Sequence, residues 1–303
     1  MATLAGDAFT VASSLCFATS SILVAQGNRE ERGDNGAFVS LLLSAAIAGA
    51  LWGVLGLLRG FEPLTARALA WFCGAGIFTA FVGRVFSYAA IEKLGAMRAS
   101  TMKRLIPFFA VMLGVGVLHE RLTPSMALGM ALIVASFAML LGGARRAAGR
   151  GATEGRRGGL DVGYVYGPVS ALGYATGYLL RKMGLAEAHD AIFGTALGCL
   201  AGAALFAFTA LFSERYARAV RATFARPSGW LLAGGTAATF GQVFYFAALD
   251  HNPMARVALV SSTEVFITLV LGWIFLRRRE TLSGSLVAAA VLGFAGAALV
   301  IGF

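Results

Sequence analysis

The sequence predicts an all-α integral membrane protein with ten transmembrane helices, arranged as two inverted repeats of five helices each. The first observation is composition: 58% of the 303 residues are hydrophobic, only 13% are charged, and the mean hydropathy is +0.76. A soluble domain of this size needs more polar surface. The second observation is a series of apolar stretches of membrane-spanning length. The third is a ten-residue run that occurs twice.

Ten mostly apolar stretches have the length of about 20 residues that a helix needs to cross the hydrocarbon core of a bilayer. The first begins without a basic flank and lacks a clear cleavage site, so we expect a retained span and not a signal peptide. The predicted spans cover roughly residues 5–26, 36–58, 69–91, 98–118, 124–143, 162–180, 190–212, 229–249, 256–276 and 282–303.

The duplicated run relates the two halves of the chain. Residues 83–92 (GRVFSYAAIE) recur as residues 241–250 (GQVFYFAALD), and residues 13–19 (SSLCFAT) recur as residues 170–176 (SALGYAT). Repeats of a hydrophobic pattern are typical of secondary transporters. The hydroxyl residues in the shorter runs serve either as helix–helix hydrogen bonds or as site groups.

A basic linker rich in Gly and Arg, at residues 144–161, separates a first repeat at 1–143 from a second repeat at 162–303. No helical or strand periodicity continues through the linker, which predicts a flexible connector. Because each repeat has an odd number of spans, the second enters the membrane from the opposite side. The repeats are therefore expected to be inverted.

Two smaller features each have two interpretations. The basic stretch at residues 215–226 (RYARAVRATFAR) is either an amphipathic helix on anionic lipid or a solvated loop. The pairs Gly49 with Gly53 and Gly198 with Gly202 allow close helix packing, either inside the protein or at a dimer face. The chain is accordingly expected to be a monomer or a dimer.

The net charge of +10 is explained by membrane topology, and no nucleic-acid partner is expected, because Lys and Arg lie mostly in short connections between spans. The connections after odd-numbered spans are richer in them, so the positive-inside rule places both termini outside. Cys16, Cys73 and Cys199 lie in apolar spans without metal-ligand spacing. We therefore predict no metal site, disulfide or cofactor.

Short motifs in the two halves carry a family resemblance. Residues 98–100 (RAS), 107–109 (PFF) and 120–123 (ERLT), with the duplicated halves, resemble the EamA-type branch of the drug/metabolite transporter superfamily over nearly the whole chain. The resemblance implies a Leu-Glu-Pro-like break in each half. Here the first half has Pro107 without the acid, and the second has Glu264 without the proline. The resemblance also implies cytoplasmic termini, opposite to the charge distribution.

The candidate site residues are polar groups at membrane depth, where an ionisable side chain costs about 2.5–3.5 kcal/mol and usually faces a cavity or a partner. We expect Arg84, Lys103 and Arg104 to form a positive wall for a carboxylate or another anion. Glu264 is expected to receive a substrate amine or a coupling proton. The other candidate substrate-binding residues, which supply hydroxyl, amide or aromatic groups, are Tyr88, Tyr174, Gln242, Tyr245 and Ser261.

Structural roles are an alternative for the same charges. Glu264 would then pair with Arg84 or Lys103 in a neutral buried cluster. Lys103 and Arg104 would extend to the membrane interface.

Together these patterns predict a multi-pass secondary active transporter in the plasma (inner) membrane. It would move a small organic metabolite or drug by alternating access, with proton coupling as an option, and the resemblance implies export. The expected partners are a small-molecule substrate and the lipid bilayer. The alternatives are a non-transporting accessory or scaffold membrane protein and a membrane-embedded enzyme. An enzyme is disfavoured because no nucleophile beside a base and no metal cluster is recognisable.

Overall fold

The computed structural model describes residues 2–30, 36–94, 105–150, 163–225 and 228–275, with a few positions between 288 and 299. These parts of the chain are almost entirely helical and contain no strand. In the first half the helices are α1 (Ala2–Glu30), α2 (Ala37–Arg59), α3 (Ala66–Gly76), α4 (Arg84–Leu94), α5 (Leu105–Val117) and α6 (Pro124–Arg150). In the second half they are α7 (Gly163–Glu187), α8 (Ala191–Ala210), α9 (Glu214–Ala225), α10 (Gly229–His251), α11 (Met254–Ser261) and α12 (Thr263–Phe275).

Six helical rods in the described chain are long and apolar enough to cross a membrane. They are Thr3–Asn28, Ala37–Arg59, Ala66–Lys93, Ala191–Ala210, Gly229–His251 and Met254–Phe275. Helix α5 and the start of α6 are apolar but shorter, and the predicted tenth span lies almost wholly outside the described residues. The all-helical membrane fold is confirmed, with six of its predicted spans supported by length and composition.

Two helices extend beyond the predicted ends of their spans. Helix α6 continues to Arg150, seven residues into the predicted linker, and α7 continues to Glu187, beyond the predicted end near residue 180. Charged residues ended the apolar pattern at both places, although Arg and Lys are good helix formers. The remaining linker residues, 151–161, lie outside the described part. Arg181 and Lys182 therefore lie inside α7.

The repeated runs pack against each other in equivalent ways. The Ser13 hydroxyl of α1 donates to the Gly241 carbonyl of α10 at 2.7 Å, and the Ser170 hydroxyl of α7 donates to the Gly83 carbonyl at 2.7 Å. Ser170 follows Ser13 by 157 residues, and Gly241 follows Gly83 by 158. The serines therefore act as helix–helix hydrogen bonds, one of the two predicted uses. Because one half supplies the donor and the other the acceptor in each case, the two halves interlock through their repeats.

A π-helical segment, Ile77–Gly83, joins α3 to α4 into one rod. Glycines allow neighbouring helices to approach this rod. A Cβ added to Gly177 of α7 would lie 2.9 Å from the Thr79 amide nitrogen, and one on Gly76 would lie 2.6 Å from the Gly198 carbonyl carbon. The pair Gly198 and Gly202 therefore makes internal contacts. By contrast, no described atom lies within 4 Å of a Cβ added to Gly49 or Gly53.

The basic stretch after α8 is helical, as one of the two interpretations predicted. Helix α9 buries Ala219 and Thr223 and exposes Arg218. Its first turn is joined to the end of α4 by an ion pair between Arg215 and Glu92 at 3.2 Å. Because one side of the helix is buried and another carries exposed charge, α9 is amphipathic.

Candidate functional site

A cavity lies between helices of both halves. Its volume is about 20 Å³, enough for roughly one water molecule. Three predicted site residues line it: Tyr245 of α10, Ser261 of α11 and Glu264 of α12. The other lining residues are Phe17, Ile106, Pro107, Tyr178, Ser262 and Val265. The cavity therefore brings together the proline that the first half retains and the acid that the second half retains.

The rod Met254–Phe275 is irregular at one residue beside the cavity, Ser262, although it has no proline there. Helix α11 ends at Ser261 and α12 begins at Thr263. The hydroxyls of Ser261, Ser262 and Thr263 each donate to the backbone carbonyl three residues earlier, at 2.9, 2.6 and 2.9 Å. Such side-chain bonds compete with the helical ladder. Three successive hydroxyl residues are thus found at this irregularity, where a proline is absent. This run of hydroxyl residues is a signal in the sequence that the prediction did not use.

The break places Glu264 in the first turn of α12. The amino end of a helix carries partial positive charge and favours an anionic side chain. Glu264 is half-buried and faces the cavity. The cavity therefore has a carboxylate in its wall, at the amino end of α12.

Aromatic rings form one wall of the cavity. Tyr178 of α7 stacks on Tyr245 of α10 with ring centroids 4.1 Å apart. Tyr174, one turn before Tyr178, lies 5.9 Å from it and also packs against Gly83. Tyr178 was not among the predicted site residues, although it lies four residues after Tyr174 and therefore on the same helix face.

Arg84 is fully buried but does not line the cavity. Its guanidinium donates to the Ser40 carbonyl at 2.9 Å, to the Ser40 hydroxyl at 3.1 Å and to the Ser44 hydroxyl at 2.9 Å. The Tyr88 hydroxyl joins the same cluster, donating to Ser40 at 3.2 Å. Arg84 and Tyr88 therefore attach α4 to α2. Gln242, which the repeat relates to Arg84, has a different partner.

That partner is Arg181, a buried residue that the sequence analysis missed because the predicted sixth span stopped one residue before it. One nitrogen of its guanidinium, Nη2, donates to the Gln242 carbonyl oxygen and, at 2.8 Å, to the Thr79 hydroxyl of the π-helical segment. The guanidinium carbon lies 4.2 Å from the centre of the Phe246 ring. Arg181 thus joins α7, α10 and the π-helical segment. Lys103 and Arg104 lie outside the described residues.

Polar contacts join the two halves at one end of the bundle. The Asp7 carboxylate of α1 accepts from Arg256 Nε at 3.0 Å and from Arg256 Nη2 at 2.8 Å. The Asn252 amide also donates to Asp7, at 2.9 Å. The side chains of Asp7 and Arg256 are only 6% and 11% exposed. We refer to Asp7, Asn252 and Arg256 as the end clamp.

The turn between α10 and α11 is held from two further directions. The Glu120 carboxylate accepts from the backbone amides of Met254 and Ala255 at 2.7 and 2.9 Å, which caps the amino end of α11. The Lys182 ammonium donates to the carbonyls of Leu249 and Asn252. Residues of both halves therefore close this end of the bundle.

A larger cavity, of about 80 Å³, lies near α9 and is lined by Phe86, Tyr166, Phe206 and Tyr216, with Glu92 and Arg215 among its other residues. Burial raises the pKa of Tyr216 above its usual value. None of the predicted site residues that the structure describes lines this cavity. We therefore centre the candidate site on the smaller cavity, which contains the acid at the helix break.

Comparison with known proteins agrees with this architecture. A crystal structure aligns with the chain over 96% of each, with a TM-score of 0.63 and 20% sequence identity, which shows a shared fold. No curated protein matches the chain. The model of the EamA-like transporter family matches residues 4–142 and 161–302.

These features define a multi-pass helical membrane protein built from two related halves around a shared cavity. The chain belongs to the EamA-like transporter family, with one copy of the family pattern in each half. The resemblance seen in the sequence is confirmed, and members of this family are membrane transporters and not enzymes.

Proposed function

We propose that the chain is a secondary active transporter of a small organic metabolite or drug, acting by alternating access in the plasma (inner) membrane, with export as its direction. The observation that carries the proposal is the cavity between the halves, with Glu264 at an interrupted helix in its wall. Substrate and ion sites of secondary transporters lie at the interface between repeats, where spanning helices are interrupted.

Ten spanning helices in two inverted halves are part of the proposal. The equivalent hydrogen bonds of Ser13 and Ser170 support it, because each joins the first helix of one half to the rod that carries the repeated run in the other. Such an exchange is expected when two related halves are connected by a twofold rotation. Five spans in each half then require opposite orientations in the membrane.

The size of the cavity supports a closed state of the cycle. A volume of about 20 Å³ is far below the roughly 300 Å³ or more of a small-molecule site. Substrate entry therefore requires helices to move apart. The end clamp must break if the cavity is to open at that end, because it joins α1 directly to α11.

Glu264 is the proposed coupling residue. Replacing it by glutamine keeps its size but removes the titratable carboxyl group. Glu264→Gln should therefore abolish flux driven by a pH gradient while leaving exchange of substrate across the membrane. The assay is uptake into proteoliposomes of a ligand found by thermal-shift screening of amino acids, purine-like compounds and xenobiotics. Glu62→Gln is the matched control, because Glu62 is exposed outside the helices. Uptake by Glu264→Gln that still responds to a pH jump would rule out this role.

Substrate contacts are proposed for Tyr245 and Ser261 at the cavity wall. The further proposed contacts, beyond the wall or outside the described residues, are Arg84, Tyr88, Lys103, Arg104, Tyr174 and Gln242. Arg84→Ala should weaken transport of an anionic or zwitterionic substrate more than transport of a neutral analogue. Equal loss of both would show that Arg84 serves only to attach α4 to α2.

A further inference from the structure

Two arginines are buried in the helical bundle without an ionic partner in the described chain. Arg84 is 1% exposed and Arg181 is 2% exposed. Their hydrogen-bond partners among the described residues are the hydroxyl, thiol, amide and carbonyl groups of Ser40, Ser44, Cys199, Thr79 and Gln242. Arg256 differs from both, because it has a bidentate ion pair with Asp7. Buried charges are normally compensated by an opposite charge.

Helix α10 brings the two arginines together. Gln242 accepts a hydrogen bond from Arg181. Thr239, three residues earlier, is hydrogen-bonded at 2.9 Å to Ser44, which in turn accepts from Arg84. Residues three apart lie on one helix face, about 5–6 Å from each other. Two positive charges therefore converge on the same face of α10.

Arg181 is also incompletely satisfied. Its Nε is buried and has no hydrogen-bond acceptor among the described residues, and a buried charged donor left unpaired is unfavourable. The guanidinium lies against the ring of Phe246 and 5.6 Å from the ring centre of Tyr178. Tyr178 in turn lines the cavity and stacks on Tyr245. Tyr178 therefore contacts the cavity on one side and lies near this unpaired donor on the other.

We propose that Arg181, supported by Arg84, is an anion-binding centre of the transport site, and that the substrate carries a carboxylate on an aromatic or apolar body. This proposal rests on the proposed function and names its substrate class. The planar guanidinium matches a carboxylate in geometry and charge. The rings of Tyr178 and Tyr245 provide a surface for an apolar body. A bound inorganic anion such as chloride would use the same donors, so the experiment separates the two sources.

The test is ligand binding to the purified chain in detergent, in a chloride-free gluconate buffer. The probes are sodium benzoate, benzyl alcohol, benzylamine and sodium chloride, of which the first three share one ring and differ in charge. Benzoate should raise the Tm of the wild-type protein more than the other three probes do. Arg181→Gln should weaken benzoate binding by roughly tenfold to hundredfold, the range expected for loss of a charged hydrogen bond.

Stability separates recognition from a purely structural role. Because Arg181→Gln removes an uncompensated buried charge, its Tm without ligand should be no lower than that of the wild type. Arg67→Gln is the control, because it also removes one positive charge but from an exposed ion pair with Glu187. If Arg181→Gln does not fold, Arg181→Lys is the alternative variant. It keeps the charge without the planar geometry, so it should bind benzoate about tenfold more weakly than the wild type does.

Four results would overturn the proposal: no benzoate binding by the wild type, equal benzoate affinity of the wild type and the Arg181 variants, stronger binding of benzylamine, or chloride acting as well as benzoate. Transport in proteoliposomes distinguishes failure of this inference from failure of the proposed function. Flux of neutral or cationic metabolites without any flux of carboxylates would overturn the inference alone. Binding of benzoate that depends on Arg181, without flux of any solute, would overturn the proposed function alone.

Discussion

Close packing of the α3 rod against α8 should make Gly76 intolerant of even one methyl group. In Gly76→Ala the new carbon would lie 2.6 Å from the carbonyl carbon of Gly198 and closer still to its Cα and oxygen. Favourable contact between carbon atoms occurs at about 3.5–4.0 Å, so the helices must separate by roughly 1 Å. The obstacle is backbone, and no side-chain rotation relieves it.

The magnitude follows from two opposing effects. Overpacking a closely packed interface costs about 1–3 kcal/mol or more, while alanine gains up to about 1 kcal/mol over glycine in helix propensity. We expect a net loss of about 2 kcal/mol and a Tm lower by about 3 °C. Gly49→Ala is the matched control, because no described atom lies within 4 Å of its added carbon. It should leave the Tm unchanged or slightly raised.

The assay is size-exclusion chromatography of detergent-solubilised protein after heating through a temperature series. A Gly76→Ala variant that melts with the wild type would refute the close approach of the rod to α8. An equal loss in Gly49→Ala would show that the Gly49 face is also packed, as expected of a dimer interface.

Two further predictions concern contacts between the halves. Asp7→Asn and Arg256→Gln should each destabilise the protein by about 3 kcal/mol, because each breaks a buried, bidentate ion pair; a double-mutant cycle with additive losses would show that the pair is not coupled. Ser13→Ala and Ser170→Ala should lower stability by similar amounts, about 1 kcal/mol each, because they remove equivalent hydrogen bonds. Thr19→Ala is their control, since among the described residues the Thr19 hydroxyl donates to Leu15 of its own helix, and a thermal melt in which Thr19→Ala loses as much as either serine variant would contradict the interlocking repeats.

The repeated runs were the most informative feature of the sequence for the fold. Their polar and small positions meet across the interface between the halves, where Ser13 reaches Gly241 and Ser170 reaches Gly83. The two copies retain similar residues at these positions because both copies make the same contact between helices. Which helices touch was not readable from either copy alone.

Part of the cavity lining was predictable from the sequence. Tyr245, Ser261 and Glu264 were recognisable as polar groups in apolar stretches, and they do line the cavity. Arg181 was missed because hydropathy ends a span at the first cluster of charges, whereas the helix ends only at Glu187. Hydropathy measures transfer into lipid, and it carries no information on charges that other helices enclose.

The helix break in the second half shows a second limit. The absence of proline at Glu264 hid an interruption that lies at Ser262, beside three hydroxyls that bond back to the chain. Proline is a strong local signal because it removes a donor. Serine and threonine compete with the helical ladder only in some contexts, so their effect was visible only in the structure.

Side-specific labelling of single cysteines tests most directly whether related halves cross the membrane in opposite directions around one cavity. After the three native cysteines are replaced by serine, Glu62→Cys, His189→Cys and Arg218→Cys are introduced at exposed positions in three different connections. In intact cells a membrane-impermeant thiol reagent should either label both Glu62→Cys and His189→Cys but not Arg218→Cys, or label Arg218→Cys but neither of the other two. Labelling of Glu62→Cys and Arg218→Cys from the same side would contradict the inverted arrangement, because these two positions lie in equivalent connections of the two repeats.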